Sequence, residues 1–436
     1  MKVKFIALIT ILLLYALASV GCATPVPLTP APLLVPSVEG EAARATVQPT
    51  ALTPMPLETP AAPLDLAMRQ SVFDEVWEII NTHYLYTDFG GVDWAAVYAE
   101  FAPRIAQAPS DEEFYEQIEA MVGRLGDEHS RFLPPQAAQR QDALSSGREE
   151  QVGIGATYRD VGDGLILQHV FPGGPAERAG LHERDRIVAI NGAFYRMGRL
   201  EGDEGSEVRL TVLRPGEASH DIVLTRTRIE GQITPLAQRL PGEIGYLKIT
   251  TLWVVDMDVQ VSRALAQLSA EHALRGLIID LRSNPGGWRS VMQGILSHFI
   301  TGDVGAFTSR DGDVPLHIPS SGNPDLRDIP LAVLVDERTA SYAEVIAAIL
   351  QGQAGAVVIG MPTSGNTETI YSYELTGGGR LWVAQEGFAL PDGSDLEGLG
   401  VQPDVAILED WTRFSEANDP GIARALRMLS PQAGGN

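Results

Sequence analysis

The sequence predicts a multidomain chain of mixed α+β and α/β class. It has a helical N-terminal region, a small β-barrel-like domain and an α/β layered core. Three observations predict this. Apolar residues recur at three- and four-residue intervals between Val72 and Leu125. Short apolar runs separated by glycine turns fill 150–230. From 231 to 430, strand-like apolar runs alternate with helical stretches. A chain of 436 residues, 44% of them apolar, is also too long for one ordinary domain.

The first segment, 1–21, reads as a signal peptide. Lys2 and Lys4 precede an uncharged apolar run from Phe5 to Val20, and Gly21-Cys22 follows. That run is short for a membrane-spanning helix, which needs roughly 20 residues. Cys22 is the only cysteine, which excludes an intrachain disulfide framework and a cysteine metal site. The segment Leu17-Ala-Ser-Val-Gly-Cys22 resembles a bacterial lipoprotein box, with Ser19 where leucine is usual. The resemblance implies lipidation of Cys22 and attachment to a membrane; a plain signal peptide or an uncleaved anchor is the alternative. Residues 22–64 are rich in Pro, Thr and Ala and read as a semi-extended tether. The expected location is outside the cytoplasmic membrane. The formal charge of −24 has no basic cluster to set against it, which argues against nucleic-acid binding.

The helical region, 65–145, begins with Val72, Phe73, Val76, Trp77, Ile79 and Ile80 on one helical face. Ser110-Asp-Glu-Glu113 has capping-box spacing and opens a helix with Phe114, Ile118, Met121, Val122 and Leu125 on one side. The polar break Leu125-Gly-Asp-Glu-His-Ser-Arg-Phe132 follows. Within 150–230, Val152-Gly-Ile-Gly155, Leu165-Ile-Leu-Gln-His-Val170, the glycine–proline turn at 172–181, Asp185-Arg-Ile-Val-Ala-Ile-Asn-Gly192 and Val208–Gly216 occur in an order that resembles a PDZ domain of the bacterial protease type. The resemblance implies that Gly153, Ile154, Gly155 and Ala156 offer backbone N–H groups to a peptide's terminal carboxylate. Another small barrel with similar turns is the alternative. The core, 231–430, carries strand-like runs at Gly245–Ile249, Gly276–Leu281, Leu331–Val335 and Ala356–Ile359, with helical stretches such as Ala343–Leu350 between them.

Two strand ends carry the candidate chemistry. Asp280-Leu-Arg-Ser-Asn-Pro-Gly-Gly287 exposes backbone N–H groups that can stabilise an oxyanion, although Gly-Gly after a strand is usually only a turn. Leu331–Val335 leads through Asp-Glu-Arg to Thr339-Ala-Ser-Tyr-Ala-Glu344, which presents Ser341 between a strand end and a helix start. Taken alone, a serine there is more often a helix N-cap than a nucleophile. With Gly400-Val-Gln-Pro-Asp404, these motifs resemble the C-terminal processing (tail-specific) serine peptidases over nearly the whole of 70–430. That resemblance implies a crotonase-like core, Ser341 as nucleophile, an acyl-enzyme route, polypeptide tails as substrates and no cofactor; no metal-ligand spacing such as His-Glu-x-x-His is present, so no metal is expected. Gly287 and Tyr342, with Gly286 next, are the expected oxyanion donors.

The sequence departs from the Ser–Lys members of that family. Thr363-Ser-Gly-Asn-Thr-Glu-Thr-Ile370 places Asn366 at the lysine position and Ile370 at that of the assisting glutamine. An amide is no general base at neutral pH. Beyond Lys2 and Lys4 the only lysine is Lys248, inside an apolar run. Histidine fits the demand for a base near neutrality. His129 lies in Leu-Gly-Asp-Glu-His-Ser, before the PDZ-like unit, which resembles the histidine placement of the tricorn branch. Glu397 likewise matches that branch's orienting glutamate. The implied triad is Ser341, His129 and Glu397, with Ser341 Oγ expected in hydrogen-bond reach of the His129 ring. A structural role for His129 and a turn-shaping role for Glu397 are the alternatives. Asp127, Glu128 and Ser130 read as loop hydrogen-bonding residues, and Trp253 and Trp288 as packing residues that could line a groove. The rival function is a catalytically inactive, tail-binding scaffold of the same fold.

Overall fold

The computed structural model describes residues 64–430, apart from 128, 146–147, 150–151, 230, 271 and 321–322. The expected signal peptide, Cys22 and the tether up to residue 63 lie outside the described residues, as does Glu128. Among the described residues no helix is long and apolar enough to cross a membrane.

Three helices open the described chain: Leu66–His83, Trp94–Gln107 and Asp111–Val122. Each start is capped by a side chain that satisfies an otherwise unpaired N–H. Asp65 accepts from the Met68 amide at 2.8 Å, Asp93 from Ala96 at 2.9 Å and Ser110 from Glu113 at 3.2 Å. The Ser110 helix also carries Asp111, Glu112 and Glu113 in its first turn, where the helix dipole favours negative charge. The apolar faces bury Phe73, Val76, Ile80, Phe114, Ile118 and Met121 against Leu381 and Val383 of the strand Arg380–Ala389. The helical region is thus docked on the core.

The PDZ-like part is a sheet of Ala156–Asp160, Leu165–Val170, Arg186–Ile190, Glu207–Leu213 and His220–Thr225, paired antiparallel in that order. It has an apolar cluster of its own around Leu167, Ile187, Val208, Leu210 and Val212. Arg184 reaches out of it to the C-terminal segment. Its guanidinium donates to Asp419 Oδ2 at 2.8 Å, both groups being buried, and lies over the Trp411 ring.

The core contains a six-stranded sheet in the order Leu236–Leu240, Ile244–Lys248, Gly276–Asp280, Leu331–Val335, Val357–Gly360 and Val405–Ala406. All but the first pairing are parallel. Parallel strands are covered on both faces, which is why they read as unbroken apolar runs. Helices Met257–Ser269, Arg289–Leu296 and Tyr342–Gln353 bury one face, and Pro420–Leu429 the other. A second sheet centres on Arg380–Ala389, which pairs with Thr369–Glu374, Gly302–Ser309 and Arg131–Leu133. The sequence reading identified none of these strands. The pairing of Arg131 with Trp382 brings the loop before it, including His129, up to the core.

Candidate active site

In open parallel sheets, ligands bind beyond the carboxyl ends of the strands. Both motif-bearing loops lie there, after the adjacent strands Gly276–Asp280 and Leu331–Val335.

The polar side chains of the first loop hold it in place, partly through one another and partly through neighbouring segments. Arg282 donates to Asp280 Oδ2 at 2.6 Å and to Asp280 Oδ1 at 2.9 Å, and pairs with Asp419. The pair is buried; burial alone would raise the Asp280 pKa, but Arg282 outweighs it and brings the carboxyl down to about 2. Asp336 accepts from the Ser283 amide at 2.7 Å, from Ser283 Oγ at 2.8 Å and from Trp411 Nε1 at 2.8 Å, tying the two loops together. Asn284 donates to the Ile249 carbonyl and accepts from the Gly286 amide at 2.8 Å. The Gly286 N–H is therefore engaged. Gly287 and Tyr342 have amides with no acceptor among the described residues.

Gly286 lies against Ser341. A Cβ at Gly286, whose φ is +81°, would stand 2.6 Å from Ser341 Cβ and 3.0 Å from Ser341 Oγ. Only glycine permits that approach. At Gly287 a Cβ would stand 2.0 Å from the Leu252 carbonyl carbon.

Ser341 occupies the position before the helix Tyr342–Gln353 with φ 56° and ψ −133°. A helix cap has extended backbone; this residue has a left-handed φ that costs roughly 1–3 kcal/mol unless its surroundings impose it. They do so through its N–H, which donates to the Asn366 carbonyl at 2.7 Å and to Glu344 Oε2 at 2.9 Å. Glu344 is fully buried and also accepts from the Gly365 amide at 2.7 Å, the Asn366 amide at 3.0 Å and Thr363 Oγ1. Burial raises its pKa, and these donors offset part of that rise. The sequence reading gave Glu344 no role, although Ser-x-x-Glu at a helix start is the spacing that signals it.

His129 is 6% exposed. Its Nε2 lies 3.3 Å from Glu397 Oε1 and 3.7 Å from Glu368 Oε2. Asp127 accepts from the His129 amide at 2.8 Å, and the Ala384 amide donates to Ser130 Oγ at 3.1 Å, so the loop is pinned to the second sheet. Burial alone would lower the His129 pKa, but Glu397, Glu368 and Asp127 outweigh it and raise it above the ordinary histidine value. Glu397 Oε2 accepts from the Thr367 amide at 2.6 Å and the Glu368 amide at 3.2 Å. Burial pushes Glu397 up, but His129 and Thr367 bring it below the ordinary value. Glu368, only 4% exposed, has its pKa pushed up by burial, and its Oε1 accepts from the Tyr86 hydroxyl. Glu368 was missed in the sequence, where a lone glutamate between two threonines carries no spacing signal.

The structure thus brings His129 to Glu397 and Ser341 to Gly286. Among the described residues no hydrogen bond joins Ser341 Oγ to the His129 ring. The two are linked through 366–368, whose backbone touches Ser341 at one end and Glu397 at the other. Trp253 and Trp288 pack edge to face at 5.1 Å, with Trp382 beside them. In the PDZ-like part, Gly153, Ile154, Gly155 and Ala156 line a narrow groove with Leu200, Glu201 and Ile229. The Ile154 and Gly155 carbonyls accept from Ala176 and Phe171, and Gly153 pairs with Thr227.

Residues 243–407 match the model of peptidase family S41, 66–123 that of the tricorn protease C1 domain, and 143–199 that of the PDZ domain. The chain is 31% identical over 376 residues to carboxyl-terminal-processing peptidase 2, chloroplastic, of Arabidopsis thaliana, covering 79% of this chain and 70% of that protein. It is 27% identical over 390 residues to a carboxyl-terminal-processing protease of Synechocystis, covering 86% and 90%. Among solved structures, a photosystem II D1 C-terminal processing protease matches with a TM-score of 0.56 at 24% identity, over 84% of this chain and 98% of that one. The tricorn protease matches with a TM-score of 0.50 at 18% identity, over 84% and 36%. These structural likenesses speak to the fold alone.

Proposed function

We propose that this chain, which belongs to peptidase family S41, is an exported endopeptidase that cleaves polypeptides near their C-terminal ends with Ser341 as nucleophile and His129 as base. Hydrolysis of peptide bonds by a serine peptidase is what the family does. The observation that carries the finer reading is His129, buried between Glu397 and Glu368 in a chain with asparagine at the lysine position.

In this reading Ser341 Oγ attacks the scissile carbonyl carbon, and His129 takes the hydroxyl proton. Glu397 holds the ring and stabilises its charged form, the part an orienting acid plays in a triad. The unpaired amides of Gly287 and Tyr342 receive the oxyanion. His129 then protonates the leaving amine, the C–N bond breaks, and an acyl-enzyme remains on Ser341. Water, deprotonated by His129, attacks the acyl carbon; the C–O bond to Ser341 breaks, His129 returns the proton to Oγ, and the acid leaves. The Ser341–His129 hydrogen bond forms on substrate binding, since such contacts are often long in an empty site. The PDZ-like part captures the substrate tail at Gly153–Ala156, and lipidated Cys22 holds the enzyme at the outer face of the membrane.

A fluorophosphonate probe should label Ser341, and Ser341→Ala should abolish the labelling. His129→Ala should also abolish it; labelling that survives His129→Ala sinks the histidine as base. The missing Ser341–His129 bond favours a second reading, an inactive tail-binding scaffold. Its signature is an unlabelled wild type that still binds peptide tails. Incorporation of radiolabelled fatty acid into the wild type but not into Cys22→Ala tests the anchor.

A further inference from the structure

A cavity of about 310 Å³ lies where the helical region, the PDZ-like sheet and the core meet. Its lining includes Arg131 from the strand that follows His129, Arg159 from the first PDZ-like strand, and Thr251, Trp253 and Pro285 from the core. Pro285 directly precedes Gly286, the residue in contact with Ser341. The cavity therefore opens beside the oxyanion loop.

Its charge is anomalous for this chain. The protein carries 56 acidic and 32 Lys and Arg residues, and most of its buried arginines have carboxylate partners, as Arg184, Arg186 and Arg282 do. No aspartate or glutamate lines this cavity. Among the described residues, neither guanidinium has an ion pair or a hydrogen bond; Arg131 is exposed, with only the Trp382 ring at 5.9 Å, and Arg159 is half-buried. Partial burial lowers the pKa of both, and at Arg159 the Asp336 carboxylate works against it. Two like charges that face one cleft with no acid in its lining favour an anionic ligand there, and a guanidinium is shaped for bidentate contact with a carboxylate.

We propose that this cavity binds a carboxylate of the polypeptide substrate, through Arg131 and Arg159, and seats it next to the bond presented to Ser341. The proposal rests on the peptidase reading and names a substrate class for it. The carboxylate comes from an acidic side chain or from the free chain end, and Trp253 provides an apolar wall for the neighbouring residue. A local cationic patch also offsets the repulsion between an acidic peptide and an acidic enzyme.

The test uses the full chain with Ser341→Ala and three fluorescent peptides of otherwise equal sequence. One has glutamates and a free end, one has glutamine in their place, and one has glutamates and an amidated end. Binding is read by anisotropy. The first peptide should bind roughly tenfold to a hundredfold more tightly than at least one of the others. That ratio should collapse towards one in Arg131→Gln/Arg159→Gln, and the substitution responsible for it identifies the source of the carboxylate. A ratio preserved in the double variant overturns the proposal, as does equal binding of all three peptides. Thermal melts of the double variant show that it is folded. Failure of the peptidase reading is separate: an unlabelled wild type by fluorophosphonate leaves this binding ratio to be judged on its own.

Discussion

Glutamine in place of Glu397 keeps the shape of the side chain and removes the charge 3.3 Å from His129 Nε2. Two unit charges at that distance attract by ~5 kcal/mol at an effective dielectric of ~20 and by ~1 kcal/mol in water. The Glu397 side chain is 28% exposed, so solvent screens the pair towards the lower figure. With ~1.4 kcal/mol to each pKa unit, the His129 pKa should fall by about 1–2 units. Glu368, 3.7 Å away and almost fully buried, limits the fall. A base acts in its neutral form, so the acid limb of kcat/KM should move to lower pH by the same amount. Loss of ring orientation should lower the plateau by ~10²–10⁴-fold. The assay is a quenched fluorescent peptide, cleaved across the range in which histidine titrates. Stability gives an independent reading of the same pair. A histidine whose folded pKa is raised contributes stability that is fully present below its unfolded pKa and lost as pH rises through the folded one. Glu397→Gln should therefore lower Tm more in mild acid than in mild alkali. An unmoved acid limb with kcat/KM near wild type would refute the orienting role and leave Glu397 as a turn-shaping residue.

Gly286→Ala should lower the rate of fluorophosphonate labelling by at least ~10²-fold, the usual cost of a damaged oxyanion site, because its Cβ would meet Ser341 Cβ at 2.6 Å; a labelling time course on protein with a wild-type melt checks this. Asp280→Asn should cost ~3–5 kcal/mol in chemical denaturation by leaving buried Arg282 short of charge. Its carboxyl pKa of about 2 is depressed, so the contribution is present above the unfolded value and lost as pH falls towards about 2. Wild type and variant should accordingly converge only in strong acid. Arg184→Ala should strip the buried Asp419 of one of its cations and hasten proteolysis between the PDZ-like part and the core, read by limited digestion.

The parts of the fold that were legible were those with a single strong period or punctuation. Four of the parallel strands are apolar on both faces and matched an apolar run to within a residue or two; the two-residue strand Val405–Ala406 was too short to read. Ser110 announced its helix because cap and acidic first turn coincide. The second sheet was illegible for a definite reason. Arg380–Ala389 is buried along nearly its whole length yet contains Arg380, Gln385 and Glu386, which are satisfied by partners far away in sequence, such as Arg289 on Glu386. Neither period two nor an unbroken apolar run survives such insertions. The candidates Ser341, His129 and Glu397 could be proposed because motifs flank them. Glu344 and Glu368 act through tertiary neighbours and show up only when the chain is folded. So does the engaged amide of Gly286, since its acceptor is a side-chain oxygen two residues away.

The segment 363–368 explains how the departure from lysine can be compatible with catalysis. Where a lysine base would enter, this chain uses backbone instead. The Asn366 carbonyl holds the Ser341 amide, the Gly365 and Asn366 amides hold Glu344, and the Thr367 and Glu368 amides hold Glu397. One short strap thus holds both the turn of the proposed nucleophile and the proposed acid. What the strap does not supply is the base. His129 arrives from the helical region, carried by the pairing of Arg131 with Trp382 and by the apolar seam between the first helices and Leu381 and Val383. A base within the strap would come into place as the core folds. A base from 126–130 exists only once the N-terminal helices have docked. The burial of Phe73, Ile80 and Phe114 on the core is therefore part of the catalytic apparatus in this reading, and the core from 231 onwards would hold a nucleophile and an acid with nothing between them.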